Sequence, residues 1–172
     1  MRRIADRIEY SPKTLYLHFR NKGEILYHLC EESFRKLDEL TRVVAESGGT
    51  PYERVECFLR TYVEYGLTHP HDYRIAFLSD ARDYPYQSHD EMPPGSVVVA
   101  IHDRFYELLR EGAACGVFRP MDVVLTAHVL WAGIHGLTVA LIYDPEFHWI
   151  GRQQFVDATI GFLMDGLKPI SL

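Results

Sequence analysis

Residues 11–26 read SPKTLYLHFRNKGEIL, and two helix-start signals stand ten residues apart within them. Ser11 suits an N-cap, and Pro12 follows at the first helical position, where a missing N–H costs nothing. Asn21 with Glu24 three residues later repeats the signal in the form of a capping box. Between them lies room for a helix of about two turns, ending near Phe19, with Lys13, Thr14, Tyr16, His18, Arg20 and Lys22 threaded through Leu15, Leu17 and Phe19. Upstream, Ile4, Ala5 and Ile8 repeat at helical spacing. Two short helices on a four-residue connection form a helix-turn-helix pattern. A short second helix fits lengthwise in a major groove, and phosphates beside that groove attract lysine, arginine, hydroxyl and imidazole donors.

Charge is distributed in the same sense. Residues 1–22 carry six Lys/Arg against two Asp/Glu, whereas the remaining 150 carry twelve against twenty-two. A basic tip on an acidic body suits a tip that meets polyanions. A hydrophobic share of 47% over 172 residues is enough for one packed core. Three cysteines, Cys30, Cys57 and Cys115, are widely spaced and provide neither a disulfide framework nor a metal-ligand pattern, which suits a reducing cytoplasm. The N-terminus has no apolar run behind its arginines and does not read as a signal peptide.

Every substantial segment reads as helix, so the expected fold is all-α. The third helix starts after Asn21 and runs to Ser47, with Ile25, Leu26, Leu29, Phe34, Leu37, Leu40 and Val44 as its apolar stripe. Thr50, Pro51 and Glu53 start a helix over 51–68 that turns Val55, Phe58, Leu59 and Tyr62 inward. A shorter helix follows over 70–80, then an irregular, turn-rich segment at 83–96 that is the expected mobile loop. Val98, Ile101, Phe105 and Leu108 mark the next helix, which closes near Gly112 or Gly116. Residues 123–142 contain no Lys, Arg, Asp or Glu. Length alone would admit a membrane span, but two histidines, two threonines and flanking Asp122 and Asp144 favour the centre of a core, or a helix shared between a core and a subunit interface. The last helix, over 152–167, carries Phe155, Val156, Thr159, Ile160, Leu163 and Leu167 on one side.

The order Ile4-Ala5, Ser11, Thr14-Leu15-Tyr16, His18-Phe19, Lys22 and Ile25-Leu26 closely resembles the DNA-binding segment of the tetracycline-repressor (TetR) family of bacterial transcriptional regulators. Residues 131–136, WAGIHG, are similar to a Trp-His-Gly stretch that marks one C-terminal subgroup. The resemblance implies a helix-turn-helix head with its connecting helix over 1–46, and a helical effector-binding and dimerisation bundle over 47–172. It implies that Lys13 and Leu17 reach bases, that Thr14, Tyr16, His18 and Lys22 hold phosphates beside the cap Ser11, and that Leu15 and Phe19 are core.

The resemblance also implies a cytoplasmic homodimer paired through residues 122–167, an operator in double-stranded DNA, an unknown small-molecule effector, no cofactor and no membrane partner. Recognition helices of such a dimer face major grooves about 34–36 Å apart. Candidate effector contacts are Phe58, Tyr62, Phe77, Phe105, Trp131 and His135, since pockets are mostly apolar with a few placed polar groups.

Two departures stand out. Glu9 occupies the turn where the family commonly has glycine, so either the turn is built differently or Glu9 carries strain. The helix that normally precedes Ile-Ala in the family has no counterpart before Met1, which would leave the head under-covered. The alternative expectation is therefore a ligand-sensing dimeric module that binds DNA weakly or not at all. A metal site is also conceivable from His69, His71 and Asp72, or from His128 and His135, but none has established ligand spacing. No nucleophile elbow or phosphate-cradling glycine loop supports an enzyme.

Overall fold

The computed structural model describes residues 1–78, 91–144 and 151–169. These form eight helices with no strand among the described residues: α1 (Arg2–Arg7), α2 (Pro12–His18), α3 (Lys22–Glu46), α4 (Pro51–Thr68), α5 (Pro70–Leu78), α6 (Val97–Ala114), α7 (Val123–Tyr143) and α8 (Arg152–Asp165). Most of the expected loop at 83–96 lies outside the described residues.

The helix starts follow their caps. Ser11 Oγ accepts from the Thr14 N–H at 3.0 Å, and Asn21 Oδ1 accepts from the Glu24 N–H at 3.0 Å. Glu24 does not close back on Asn21; its carboxylate accepts instead from the Arg20 N–H at 2.5 Å, so it secures the connection between α2 and α3. Thr50 and Glu53 form the full reciprocal box at the start of α4. Between α1 and α2, the Tyr10 N–H donates to the Ala5 carbonyl at 3.0 Å around Glu9, whose φ is 59°. This is a Schellman-type helix end with glutamate in the left-handed position that normally belongs to glycine. Glu9 thus carries strain in a conformation that costs roughly 1–2 kcal/mol for a residue with a Cβ.

α3 is the spine. It packs against α4, α5 and α6, while α4 also contacts α6, α7 and α8, and α7 lies beside α6 and α8. Two polar clamps fasten α3 to α6. Glu31 accepts from Ser96 Oγ at 2.5 Å and from the Val97 N–H at 2.8 Å, so a carboxylate from one helix caps the start of another. Seven residues along, Arg104 donates to Asp38 at 2.9 Å and to the buried Thr41 hydroxyl at 3.0 Å.

The expected inward stripe of α3 needs correction. Leu29 and Leu40 are exposed, while Tyr27, Cys30, Phe34, Leu37, Thr41 and Val44 are buried. The helix is rotated to seat Cys30 against the Ile75 carbonyl and Thr41 against Arg104. Ile8, expected on the inner face of α1, is 47% exposed.

α7 is long and apolar enough to cross a membrane by length and composition. Here it divides into two faces. Ala127, Leu130, Ile134, Leu137, Thr138, Leu141 and Ile142 are buried in the body. Val124, Leu125, Val129 and Tyr143 are exposed, and Phe162 of α8 is 80% exposed.

Candidate functional site

The first site is the surface of α2. A helix of seven residues is about 10 Å long, short enough to lie in a major groove about 12 Å wide. Leu15 is buried and Phe19 half-buried, anchoring the inner side, and α1 packs across it. Lys13, Tyr16, Leu17 and His18 face solvent, as does Lys22 at the first position of α3. Leu17 is 74% exposed on a helix whose own core needs leucine elsewhere, an arrangement that makes sense for a surface that meets a partner. A branched apolar side chain there suits contact with a thymine methyl group. Thr14 is half-buried, its hydroxyl 2.8 Å from that of Ser11, and Ser11 is itself engaged in capping. Ser11 and Thr14 therefore shape the helix start, while Lys13, Tyr16, Leu17 and His18 provide its outward surface.

The second site is a cavity of about 250 Å³ inside the body. Its walls come from five helices: Phe34 and Leu37 of α3, Phe58 and Tyr62 of α4, Phe77 of α5, Ile101, His102, Phe105 and Tyr106 of α6, and Ala127, His128, Trp131 and Ile134 of α7. Phe58 and Phe105 stack at 4.6 Å, and Phe34 meets Phe77 edge-on at 5.0 Å. Of the six residues expected from the sequence, Phe58, Tyr62, Phe77, Phe105 and Trp131 line this cavity.

His135 does not line it. The imidazole stacks behind Trp131 at 4.8 Å, with its Nδ1 2.6 Å from the Tyr73 hydroxyl. Trp131 Nε1–H donates to the Tyr62 hydroxyl at 3.2 Å, which lies 3.2 Å from that of Tyr73. The shortest contacts run from the indole to Tyr62, from Tyr62 to Tyr73, and from Tyr73 to the lone pair of a neutral His135, whose Nδ1 also lies 3.4 Å from the Tyr62 hydroxyl. Burial lowers the His135 pKa and so favours that neutral form, and it pushes the Tyr73 hydroxyl up to about 12. The network fixes Tyr62 and Trp131 as a rigid wall.

Sequence reasoning missed Tyr73 and, beside Phe105 on α6, His102 and Tyr106. The spacing of His102 and Tyr106, four apart and stacked at 6.3 Å, was the available signal. Of the histidines at 69–72, His69 serves packing, since its Nε2 is 3.0 Å from Lys36 Nζ and its ring stacks on Tyr65, while His71 is exposed. Among the described residues no three His, Cys, Asp or Glu side chains gather as a metal site.

Comparison with known proteins bears on both sites. Residues 55–165 match the family described as Tetracyclin repressor-like, C-terminal domain, and residues 1–29 match Bacterial regulatory proteins, tetR family. The HTH-type transcriptional repressor KstR of Mycolicibacterium smegmatis is 36% identical over 55 residues, which span 32% of this chain and 27% of that repressor. Among solved structures, the transcriptional regulator FadR from Bacillus subtilis, in complex with stearoyl-CoA, superposes with a TM-score of 0.70 at 17% identity, covering 95% of this chain and 86% of FadR. A tetR-family regulatory protein from Rhodococcus RHA1 superposes with a TM-score of 0.66 at 15% identity, covering 99% of this chain and 86% of that one.

Proposed function

Because this chain belongs to the tetracycline-repressor family of transcriptional regulators, we propose that it acts as a dimeric, operator-binding repressor released by a small molecule held in the cavity between α3 and α7. In this reading residues 1–46 are the DNA head with its connecting helix, and 47–172 hold the effector and the partner. Lys13 and Leu17 read bases, while Tyr16, His18 and Lys22 hold phosphates. The exposed apolar face of α7 and α8 pairs with its twofold copy. Leu125, Val129 and Phe162 supply area there, and the exposed small residues Ala132, Gly136 and Ala140 allow close approach of two helices.

One observation carries the proposal. A single uninterrupted helix, α3, begins at the DNA head and supplies Phe34 and Leu37 to the cavity wall. A ligand that displaces that wall, or displaces α6 through its clamps at Glu31 and Asp38, therefore acts on the head directly. Coupling of this kind is typically about 1–3 kcal/mol, enough to change operator affinity by roughly 5–150-fold.

The test is a gel shift with DNA from upstream of the chain's own gene. Binding should weaken steeply with salt, as phosphate contacts require. Lys13→Ala should alter sequence preference, whereas Lys22→Ala should weaken all sequences alike. Absence of any salt-sensitive binding would leave the weak-DNA, ligand-sensing alternative in its place. The half-exposed Ile8 of the head is the observation that favours that second reading.

A further inference from the structure

We propose that the cavity takes a compact, uncharged aromatic alcohol of one or two rings, in place of a long acyl chain or an organic anion. The inference rests on the reading of the cavity as an effector site and names the chemistry it selects. Size is the first argument. A cavity of about 150 Å³ binds benzene, so one of about 250 Å³ has room for a second fused ring and little more. A chain of sixteen or more carbons exceeds that volume and would have to project through the open side of the cavity.

Wall chemistry is the second argument. Aromatic faces and edges approach from α3, α4, α5, α6 and α7, and the Phe58–Phe105 stack and the Phe34–Phe77 edge contact show both geometries that a ring inserted among them can extend. Charge is the third. No Asp, Glu, Lys or Arg lines the cavity among the described residues, so a carboxylate or ammonium would be desolvated with no permanently charged partner.

Polarity is the last. His128 Nδ1 lies 2.7 Å from the Val124 carbonyl, which cannot donate, so Nδ1 carries the proton. When the ring is neutral Nε2 is an acceptor, and this exposed ring borders the open side of the cavity. An acceptor suits a ligand hydroxyl.

Isothermal titration of the full chain at pH 7.5 with 2-naphthol, its decahydro analogue, 2-naphthoate and hexadecanoate tests the proposal. We expect 2-naphthol to bind roughly 2–10-fold tighter than its saturated analogue. It should bind at least about tenfold tighter than 2-naphthoate, which must leave water unpaired. Ala127→Leu, which fills the cavity, should abolish binding. His128→Ala should remove the preference for 2-naphthol over naphthalene; if Ala127→Leu does not fold, this second variant and the ligand series decide. Equal or tighter binding of 2-naphthoate or hexadecanoate overturns the proposal, as does failure of 2-naphthol to bind. A parallel gel shift separates the two readings. Binding of 2-naphthol without operator release refutes the effector role and leaves the ligand class standing, whereas release by hexadecanoate alone refutes the ligand class and leaves the role.

Discussion

Glu31 and Glu32 are adjacent residues of one type on one helix, and they should behave very differently when truncated. Glu31 accepts two hydrogen bonds at the start of α6, from Ser96 Oγ at 2.5 Å and the Val97 N–H at 2.8 Å. Ser96 is 3% exposed, so water cannot replace the lost partner freely. Hydrogen bonds to charged groups contribute about 1.5–3 kcal/mol each where buried, and a carboxylate at a helix N-terminus adds about 0.3–1 kcal/mol. Glu31 is only half-buried, and Ser96 keeps its longer bond to the Val99 N–H, so the lower end applies: about 2 kcal/mol for Glu31→Ala. Glu31→Gln keeps one acceptor but loses the charge, and should cost about 1 kcal/mol. For a chain of this size, a loss of about 2 kcal/mol lowers Tm by about 4–8 °C. Glu32 pairs with Arg35 where both side chains are more than half exposed, so Glu32→Ala should change stability by less than about 0.5 kcal/mol. Urea unfolding followed by circular dichroism measures all three. Equal losses for Glu31→Ala and Glu32→Ala would refute the clamp.

Other substitutions set opposing effects against one another. Gly112→Ala gains helix propensity of about 1 kcal/mol but drives a Cβ into two ring atoms of the buried Phe118, so net destabilisation of about 1–3 kcal/mol is expected in urea melts. Glu9→Gly relieves the left-handed turn and should raise stability by up to about 1 kcal/mol, measured by thermal unfolding. Phe162→Glu puts a charge on the most exposed large apolar side chain of α8 and should convert the sedimenting species from dimer to monomer. His135 binds its proton less readily when folded than an ordinary histidine of pKa 6.5, so the unfolded state takes up more protons as pH falls through that value. Stability should therefore decline below about pH 6.5 and be flatter in His135→Gln, as read from Tm against pH.

Helix starts were legible because their chemistry is local. Ser11-Pro12 and Thr50-Pro51-Glu53 announce α2 and α4, and the structure forms both caps. Lack of charge placed α7 against the core, but left open whether it is buried all round; the exposure of Val124, Leu125 and Val129 shows two faces. The rotation of α3 was not legible, because hydropathy ranks Leu29 and Leu40 above Cys30 and Thr41, while the phase is set by Ile75 and by Arg104, 45 and 63 residues away. For the cavity, aromatic residue type identified Phe58, Tyr62, Phe77, Phe105 and Trp131. Only the three-dimensional arrangement separates a ring that faces the void from His135, which stands behind one. The Glu31 clamp joins residues 65 apart and leaves no periodic trace.

The continuity of α3 has a mechanical consequence. Its 25 residues make a rod roughly 37 Å long. A pivot of only about 5° near its far end would carry the tip some 3 Å, comparable to the spacing of about 3.4 Å between neighbouring nucleotides along a strand. In the proposed dimer, two such rods related by the twofold axis would swing together, and so small a pivot would put both heads out of register with their grooves.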